Sequence, residues 1–192
     1  MSEVYLKKLQ EADAGVLFSL VDRNRPHLKK FIWEGETKSP SDSEHYIRIA
    51  NYREDVNGAP TRGVFARGRL VGLATLHTID WSDNTSSLGY WIDAAQTGNG
   101  YATKAVHQLL GIAFEDIGLD RVTACIEVEN RPSLAVLGRL GFTLTCHDYQ
   151  PTWRYIEQDA SAEVAHLEMT ASAYRDRFES EPIQNANLLQ YQ

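Results

Sequence analysis

Two glycines at the boundary between a strand pattern and a helix pattern form the part of this sequence with the clearest chemistry. An apolar, strand-like run of residues 88–92 leads to Gly98 and Gly100, and an amphipathic helical pattern begins directly afterwards. Glycine allows the backbone to approach a ligand closely, and the N–H groups in the first turn of a helix have no partner within the helix. The pattern therefore predicts a binding site for an anion, with a phosphate group as the natural ligand.

Two well-known phosphate-binding patterns fit this glycine turn incompletely. A P-loop ends in Gly-Lys-Ser/Thr, whereas Lys104 follows Thr103 here, which excludes that pattern. A dinucleotide fingerprint matches Gly98 and Gly100, and a carboxylate, Glu127, lies near the end of the next strand. That fingerprint belongs early in a βαβ series, however, and here an antiparallel meander comes first. The residues alone predict only an anion-binding turn between a strand and a helix.

Length and charge restrict the class of protein. With 192 residues and 43% hydrophobic content, the chain can bury one substantial core. We predict a single domain over residues 1–180 and a polar tail over residues 181–192 that frays. The net charge of -7 argues against a general nucleic-acid binder and is better suited to a cationic acceptor or partner.

The cysteines and the N-terminus predict a soluble cytoplasmic protein. Cys125 and Cys146 are the two cysteines, and they form neither a disulfide framework nor a metal-binding spacing. We therefore expect a reducing compartment and no metal. The first residues lack the apolar core of a signal peptide, and the sequence has no apolar run of membrane-spanning length.

Hydrophobic periodicity predicts two N-terminal helices and then an antiparallel meander of strands. Asp13 can cap the first helix, whose apolar stripe covers residues 16–21 and which we expect to end near Pro26. A second helix is expected from about Asp42. The predicted strands cover residues 4–9, 63–67, 70–79, 86–92, 121–128, 142–146 and 164–170, and the later helices cover residues 102–113, 130–140 and 173–178.

Glycines mark the expected ends of several elements. Gly68-Arg69 is predicted as the two-residue link of a β-hairpin. Gly118 and Gly141 are placed to end the two helices that follow the glycine turn. The strand–helix–strand order over residues 86–128 favours a right-handed crossover and a parallel strand pair.

Three motifs in order resemble the GNAT superfamily of acyl-coenzyme-A-dependent N-acetyltransferases, within it the branch of ribosomal-protein (serine/alanine) N-acetyltransferases. The motifs are Gly89-Tyr90-Trp91-Ile92-Asp93, Gly98-Asn99-Gly100-Tyr101-Ala102-Thr103-Lys104-Ala105, and Asn130-Arg131-Pro132-Ser133 with Leu140-Gly141-Phe142. The resemblance implies an α/β fold with a mixed, mostly antiparallel sheet of about seven strands and flanking helices. It also implies that the fourth and fifth strands splay apart and that pantetheine lies between them.

The resemblance implies a set of residues that bind acetyl-coenzyme A (acetyl-CoA) as a co-substrate. These are Trp91, Ile92, Thr97, Gly98, Asn99, Gly100, Tyr101, Ala102, Thr103, Asn130 and Ser133. Thr97 stands where the family usually has Gln or Arg, and we expect little loss of binding because backbone N–H groups do most of the work.

The resemblance does not identify a general base. Ser87 and Arg154 occupy the two places where relatives often carry a carboxylate. Glu127, Asp148 and Glu157 remain as candidates, of which we name Glu157 as catalytic together with Ser133 and Asn130. His77 lies on the third strand, where a lone histidine is more often structural or at the surface.

Acetyl transfer to an amine sets three requirements. The amine must lose a proton, and an α-amino group, with a pKa of about 7.7–8.0, is already partly neutral near neutrality. Backbone N–H groups around Trp91 and Ile92 are expected to polarise the thioester carbonyl. By resemblance, Ser133 supplies a proton to the departing thiolate and Asn130 holds the pantetheine, although both could instead serve the start of a helix.

Our leading hypothesis is an N-acetyltransferase that acts by direct attack in a ternary complex. The expected acceptor is a protein N-terminus, such as a basic ribosomal protein tail, with a small amine as the main rival. A non-catalytic acyl-CoA-binding module and a dinucleotide-binding protein are the alternatives. Relatives often dimerise, so we expect a homodimer. We expect neither a nucleic acid nor a membrane as a partner.

Overall fold

The computed structural model describes residues 4–28, 37–151 and 161–178. Three sites of sequence predictions lie outside these ranges: the base candidate Glu157, Arg154 at a usual carboxylate position, and the tail over residues 181–192. The described strands, in chain order, are β1 (Val4–Lys7), β2 (Thr61–Ala66), β3 (Arg69–Leu76), β4 (Thr85–Ile92), β5 (Arg121–Glu127), β6 (Thr143–Pro151) and β7 (Ser161–Thr170).

Helices of very different length connect and cover these strands. The α-helices are α1 (Ala14–Arg23), α2 (Arg25–Leu28), α3 (Pro40–Asn57), α4 (Tyr101–Gly111), α5 (Arg131–Leu140) and α6 (Ala171–Phe178). Short 3-10 turns precede α1 and follow β4, and α4 continues as a π-helical segment, Ile112–Ile117, which ends at Gly118 in the left-handed conformation (φ 80°). The helix stop predicted at Gly118 is confirmed.

All seven strands belong to one sheet in the order β1-β2-β3-β4-β5-β7-β6. Every neighbouring pair is antiparallel except β4 and β5, which run parallel. The parallel pair is joined at three positions only, where residues 85–87 of β4 oppose residues 121–123 of β5. The predicted fold class, with its parallel strand pair, is confirmed.

Helices cover the two faces of the sheet with separate cores. On one face, α1 and α3 pack through Leu17, Leu20 and Ile47 against residues that include Phe65 and Trp91. On the other face, α4 and α5 cover a larger core, to which the sheet contributes Val64, Ala74, Leu88, Ile92 and Val122. Side chains alternate between faces along a strand, so odd-numbered residues of β4 face α1 and α3 and even-numbered ones face α4 and α5.

Several predicted boundaries were wrong, for local reasons. The hairpin turn is Arg67-Gly68 and not Gly68-Arg69, because Arg67 (φ 51°) and Gly68 (φ 75°) both take the left-handed conformation that this tight turn requires. Helix α3 begins at Pro40 instead of Asp42, since Ser39 caps it and proline is compatible with a first helical turn.

Two further boundaries differ from their predictions. Helix α1 ends at Arg23, shortly before the predicted end near Pro26, and Pro26 itself lies in the first turn of the short helix α2 that follows. Strand β6 continues to Pro151 and not only to Cys146, because a register shift between Leu144 and Cys146 breaks the side-chain alternation on which the prediction depended. Among the described helices, none has the length and apolarity needed to cross a bilayer.

Candidate active site

The parallel strands β4 and β5 part after three residue pairs, which leaves a gap between them in the middle of the sheet. Beyond Ser87 and Thr123 the two strands have no further paired positions, although β4 stays paired with β3, and β5 with β7, along their lengths. The edges of β4 and β5 that border the gap therefore present backbone N–H and C=O groups to a ligand.

The register of β4 against β3 decides which backbone groups face the gap. The N–H of His77 donates to the carbonyl of Ser87, and the N–H of Asp93 donates to the carbonyl of Val71. Backbone groups alternate in direction along a strand, so the odd-numbered residues of β4 point towards β3 and the even-numbered residues point into the gap.

Tyr90 and Ile92 therefore present their N–H groups to the gap, whereas the N–H of Trp91 points towards β3. From the sequence, the backbone N–H groups of Trp91 and Ile92 are both predicted to polarise the thioester carbonyl. The N–H of Ile92 faces the gap, as predicted, whereas the N–H of Trp91 faces β3. The N–H of Tyr90 also faces the gap, and this could not be predicted because the direction of each N–H depends on the register between the strands.

The glycine loop, residues 97–100, lies between the end of β4 and the start of α4. Gly98 (φ 80°) and Gly100 (φ 74°) both take the left-handed conformation, and a Cβ added at either would point into open space. No side chain caps α4, so its first N–H groups remain available for a ligand. Tyr101 is buried in the core and only 5% exposed, so its backbone alone can serve a ligand.

Side chains of the glycine loop and the first turn of α4 stiffen this region. The hydroxyl of Thr97 donates to the carbonyl of Ala94 over 2.9 Å, and the amide of Asn99 donates to the carbonyl of Gln96 over 3.0 Å. Ala102 and Thr103 lie half-buried behind the loop. The loop is thus shaped by its own short hydrogen bonds before any ligand arrives.

Asp93 anchors the segment that leads into the glycine loop. Its carboxylate is 4% exposed and accepts from Nη2 of Arg23 at 2.7 Å, from the amide of Asn24 at 3.1 Å and from the N–H of Ala95 at 3.2 Å. Asn24 also accepts from the N–H of Ala94 at 2.9 Å. The end of α1 is thereby fixed to the start of the ligand-binding segment.

These contacts control the ionisation of Asp93. Burial alone raises the pKa of the carboxyl, but hydrogen bonds from Arg23, Asn24 and the N–H of Ala95, with the positive charge of Arg23, outweigh it and lower that pKa overall. A carboxyl whose pKa is lowered on folding stabilises the folded state above its unfolded pKa, and this stabilisation disappears as the pH falls through the folded value.

We expect Asp93→Asn to lower the free energy of unfolding by about 2 kcal/mol at pH 7, because a buried, charge-assisted network is broken. The difference from wild type should be complete above about pH 4 and shrink as the pH falls through the lowered pKa of Asp93. Urea denaturation between pH 3 and pH 7 measures both effects. A difference that is constant across this range would contradict a role for the ionised carboxylate.

The start of α5 lies close to β4 across the gap. The side chain of Asn130 caps α5 by accepting from the N–H of Ser133 at 3.3 Å, and the hydroxyl of Tyr90 donates to the carbonyl of Ser133 at 3.3 Å. Burial raises the pKa of the Tyr90 hydroxyl, so it remains a neutral donor. The side chain of Ser133 is also within hydrogen-bonding reach of the Tyr90 hydroxyl, and the helix cap itself comes from Asn130.

The side chain of Asn130 caps α5, and the same side chain is predicted to bind the coenzyme. Asn130→Asp keeps a good N-cap, so we expect the free energy of unfolding to stay within about 0.5 kcal/mol of wild type. The same change removes the amide donor, and coenzyme A affinity should fall about tenfold. Isothermal titration with coenzyme A, together with urea denaturation, separates the two roles; Asn130→Ala should lose both stability and affinity. An unchanged affinity of Asn130→Asp for coenzyme A would show that Asn130 serves only as the cap of α5.

The guanidinium of Arg139 places a positive charge beside the glycine loop. This role of Arg139 was not predicted from the sequence. Its guanidinium lies near the C-terminal end of α5 and donates to the hydroxyl of Thr103 over 3.4 Å, beside the first turn of α4. Helix α5 ends, as predicted, at Gly141 with φ 92°. An exposed arginine beside uncapped helical N–H groups is well suited to a phosphate ligand.

The base candidates lie on the other side of the sheet. Alternation along β5 places Glu127 on the α1/α3 face, and it lies half-buried at the end of the strand. Asp148 of β6 is exposed, and its carboxylate accepts from the N–H of Tyr149. Ser87 lines a cavity of about 250 Å³ on the same face, together with Thr123, Cys125 and His166.

The described part of the chain contains no cluster of three or more His, Cys, Asp or Glu residues that could hold a metal ion.

Comparison with known proteins identifies this arrangement. Residues 3–143 match the model of the acetyltransferase (GNAT) domain. The chain belongs to the GNAT acetyltransferase family. The GNAT resemblance inferred from the three motifs is thus confirmed, and the protein is an acetyl-CoA-dependent N-acetyltransferase.

Individual relatives agree with this assignment. The chain is 33% identical over 142 residues to the putative ribosomal N-acetyltransferase YdaF of Bacillus subtilis, covering 72% of this chain and 77% of that protein. It is 24% identical over 129 residues to the ribosomal-protein-serine acetyltransferase of Escherichia coli, covering 67% and 72%. The structure of the ribosomal L7/L12 α-N-protein acetyltransferase RimL in complex with coenzyme A superposes with a TM-score of 0.80 at 18% identity, covering 88% and 95%.

The gap of this GNAT enzyme thus opens onto the two faces of the sheet, which carry different functional groups. The α4/α5 face carries the glycine loop, Arg139, Asn130 and Ser133, which suit the phosphates and pantetheine of acetyl-CoA. The α1/α3 face carries the ionisable groups that could deprotonate an amine.

Proposed function

We propose that this enzyme transfers the acetyl group of acetyl-CoA to the α-amino group of a protein N-terminus. The observation that carries the proposal is the gap, whose β4 edge presents the N–H groups of Tyr90 and Ile92 and leads directly into the glycine loop. Relatives named as ribosomal N-acetyltransferases support a protein acceptor.

In the proposed reaction, the amine attacks the thioester carbonyl directly in a ternary complex. The N–H groups of Tyr90 and Ile92 stabilise the oxygen as it becomes negative, because donors held by a strand need no reorganisation. Ser133, across the gap from β4, donates to the thiolate, whose pKa of about 8.5 makes a proton donor useful near neutrality. The C–N bond forms, the C–S bond breaks, and the amine proton leaves to a base.

The proposed donor site combines backbone and charge. The uncapped N–H groups of residues 101–103 bind the pyrophosphate, Gly98 and Gly100 keep side chains out of its way, and Arg139 adds a positive charge. Asn130 holds the pantetheine by the amide group that also caps α5. Thr97, Asn99 and Thr103 act mainly by shaping the loop.

The acceptor is proposed to be basic near its N-terminus. The enzyme carries a net charge of -7, which attracts a cationic polypeptide and favours its approach at low ionic strength. The proposal also keeps the expectations of a single domain over residues 1–180, a cytoplasmic location and a homodimer.

Release of coenzyme A thiol from acetyl-CoA tests this function. We expect turnover with peptides that have a free α-amine followed by basic residues, and much less with the same peptides blocked at the N-terminus but containing lysine. Small polyamines serve as the rival acceptors. Faster turnover with polyamines than with any peptide would overturn the protein acceptor, and tight coenzyme binding without turnover on any amine would overturn catalysis.

A further inference from the structure

His77 lies next to the proposed thioester site, on the α1/α3 face. It follows directly after β3, and its N–H donates to the carbonyl of Ser87 over 2.8 Å. A Cβ added at Gly89 would lie 2.9 Å from Nε2 of His77, so the imidazole rests over a residue that has no side chain. Gly89 immediately precedes Tyr90, whose N–H faces the gap, and this brings the imidazole beside the proposed reaction centre.

The surroundings of His77 leave its ring nitrogens available. The side chain lines a cavity of about 170 Å³ with Arg53 of α3 and the threonines Thr61, Thr75 and Thr78. The ring is partly exposed, and neither nitrogen has a hydrogen-bond partner among residues 4–28, 37–151 and 161–178. A water or an amine that entered this cavity would meet an imidazole lone pair.

The charged and titratable neighbours favour a neutral ring. Burial lowers the pKa of His77, and the positive charge of Arg53 lowers it further. Tyr46, also on α3, is bonded through its hydroxyl to Thr61, and burial raises its pKa, so it adds no negative charge. An imidazole that is neutral near pH 7 can accept a proton at once.

We propose that His77 is the general base of this enzyme. The proposal rests on the function proposed above and supplies the proton acceptor that the substitution of Ser87 for the usual carboxylate leaves open. As the amine nitrogen bonds to the carbonyl carbon, its proton passes to Nε2 of His77 directly or through one water. When the C–S bond breaks, the thiolate takes a proton through the hydroxyl of Ser133, which regains one from solvent, and the imidazolium later releases its own proton to solvent.

Glu127 and the exposed Asp148 are the competing base candidates within the described residues, and Glu127 is the less exposed of the two. It lies on β5, which has separated from β4, so the gap lies between its strand and the N–H of Tyr90. His77 follows β3, which stays paired with β4 throughout, and its imidazole touches Gly89. The position of the imidazole over Gly89, the residue before the Tyr90 N–H, favours His77.

Replacement of His77 by glutamine tests the proposal. We expect His77→Gln to lower kcat about 100-fold at pH 7 while the affinity for coenzyme A is unchanged, as is typical for loss of a general base. The deficit should shrink above about pH 9, where an α-amine is neutral without help. The matched control is His45→Gln, an exposed histidine of α3, which should behave as wild type.

A second variant moves the pKa of the base without removing it. Arg53→Gln takes away a charge that lowers the pKa of His77, so the acid limb of the kcat profile should shift to higher pH. Added imidazole should restore part of the turnover of His77→Ala, which a merely structural histidine would not explain.

The outcomes are distinguishable. A wild-type kcat of His77→Gln at every pH would overturn the role of His77. Loss of the acid limb in Glu127→Gln instead would do the same, and in both cases the proposed acetyltransferase function would stand. If the wild-type enzyme acetylates no amine at all, the proposed function fails, and the role of His77 fails with it.

Discussion

Gly100→Val is expected to weaken coenzyme A binding by roughly 100-fold or more while the fold survives. Gly100 has φ 74° at the N-cap of α4, and a β-branched residue is disfavoured in this left-handed conformation. The loop must then turn its N–H groups away from the phosphates. Losing even one charge-assisted hydrogen bond costs about 1.5–3 kcal/mol, or roughly 10- to 100-fold in affinity. Isothermal titration with coenzyme A measures this loss.

Gly118→Val is the matched control for this experiment. Gly118 has a similar φ of 80°, a Cβ there also points into open space, and it ends the helical region that starts at Gly100. Both variants should lose about 1–3 kcal/mol of stability from backbone strain. Only Gly100→Val should lose coenzyme affinity. Equal affinities in the two variants would show that the phosphates bind elsewhere.

Ser133→Ala should reduce kcat on the order of 100-fold with little change in the Kd for acetyl-CoA. The hydroxyl is proposed to act on the thiolate, which forms only as the C–S bond breaks, so its loss affects the transition state and not the bound ground state. The helix is not disturbed, because the cap of α5 comes from Asn130 and needs only the backbone N–H of Ser133. Steady-state kinetics combined with coenzyme titration measures the two quantities separately.

The control for Ser133→Ala is Ser41→Ala, an exposed serine of α3 that should retain wild-type kinetics. Ser133→Cys offers a further test, since a thiol can still donate a proton and should recover part of the rate. An unchanged kcat at saturating substrates in Ser133→Ala would remove the hydroxyl from the mechanism.

Much of the donor side of this site could be predicted from sequence, because glycine and helix-start signals have local causes. Gly98 and Gly100 were identified from the need for close approach of the backbone to a ligand, and in the structure both have positive φ. The ends of α5 followed in the same way from Asn130 and Gly141. Local turn chemistry failed where a non-glycine residue, Arg67, adopted a positive φ and moved the hairpin by one position, and where the Ser39 cap moved the start of α3.

The rest depends on contacts between residues distant in sequence, which a local pattern cannot supply. The direction of the Tyr90 and Trp91 N–H groups depends on the register of β4 with β3. The ion pair of Asp93 with Arg23 spans 70 residues. His77 gained a functional interpretation only when the fold put its imidazole over Gly89. The base candidate Glu157, outside the described residues, stays a prediction.

The parting of β4 and β5 also explains how an unpaired strand edge can exist without promoting aggregation. Free edges usually invite a strand from another chain, and proteins protect them with charges, prolines or bulges. Here the free edge lies in the interior of a sheet, with β5 on its far side, so a strand from another chain has no open side from which to approach. We expect the donor substrate to lie along this edge as a strand would, at a place where another protein molecule cannot pair.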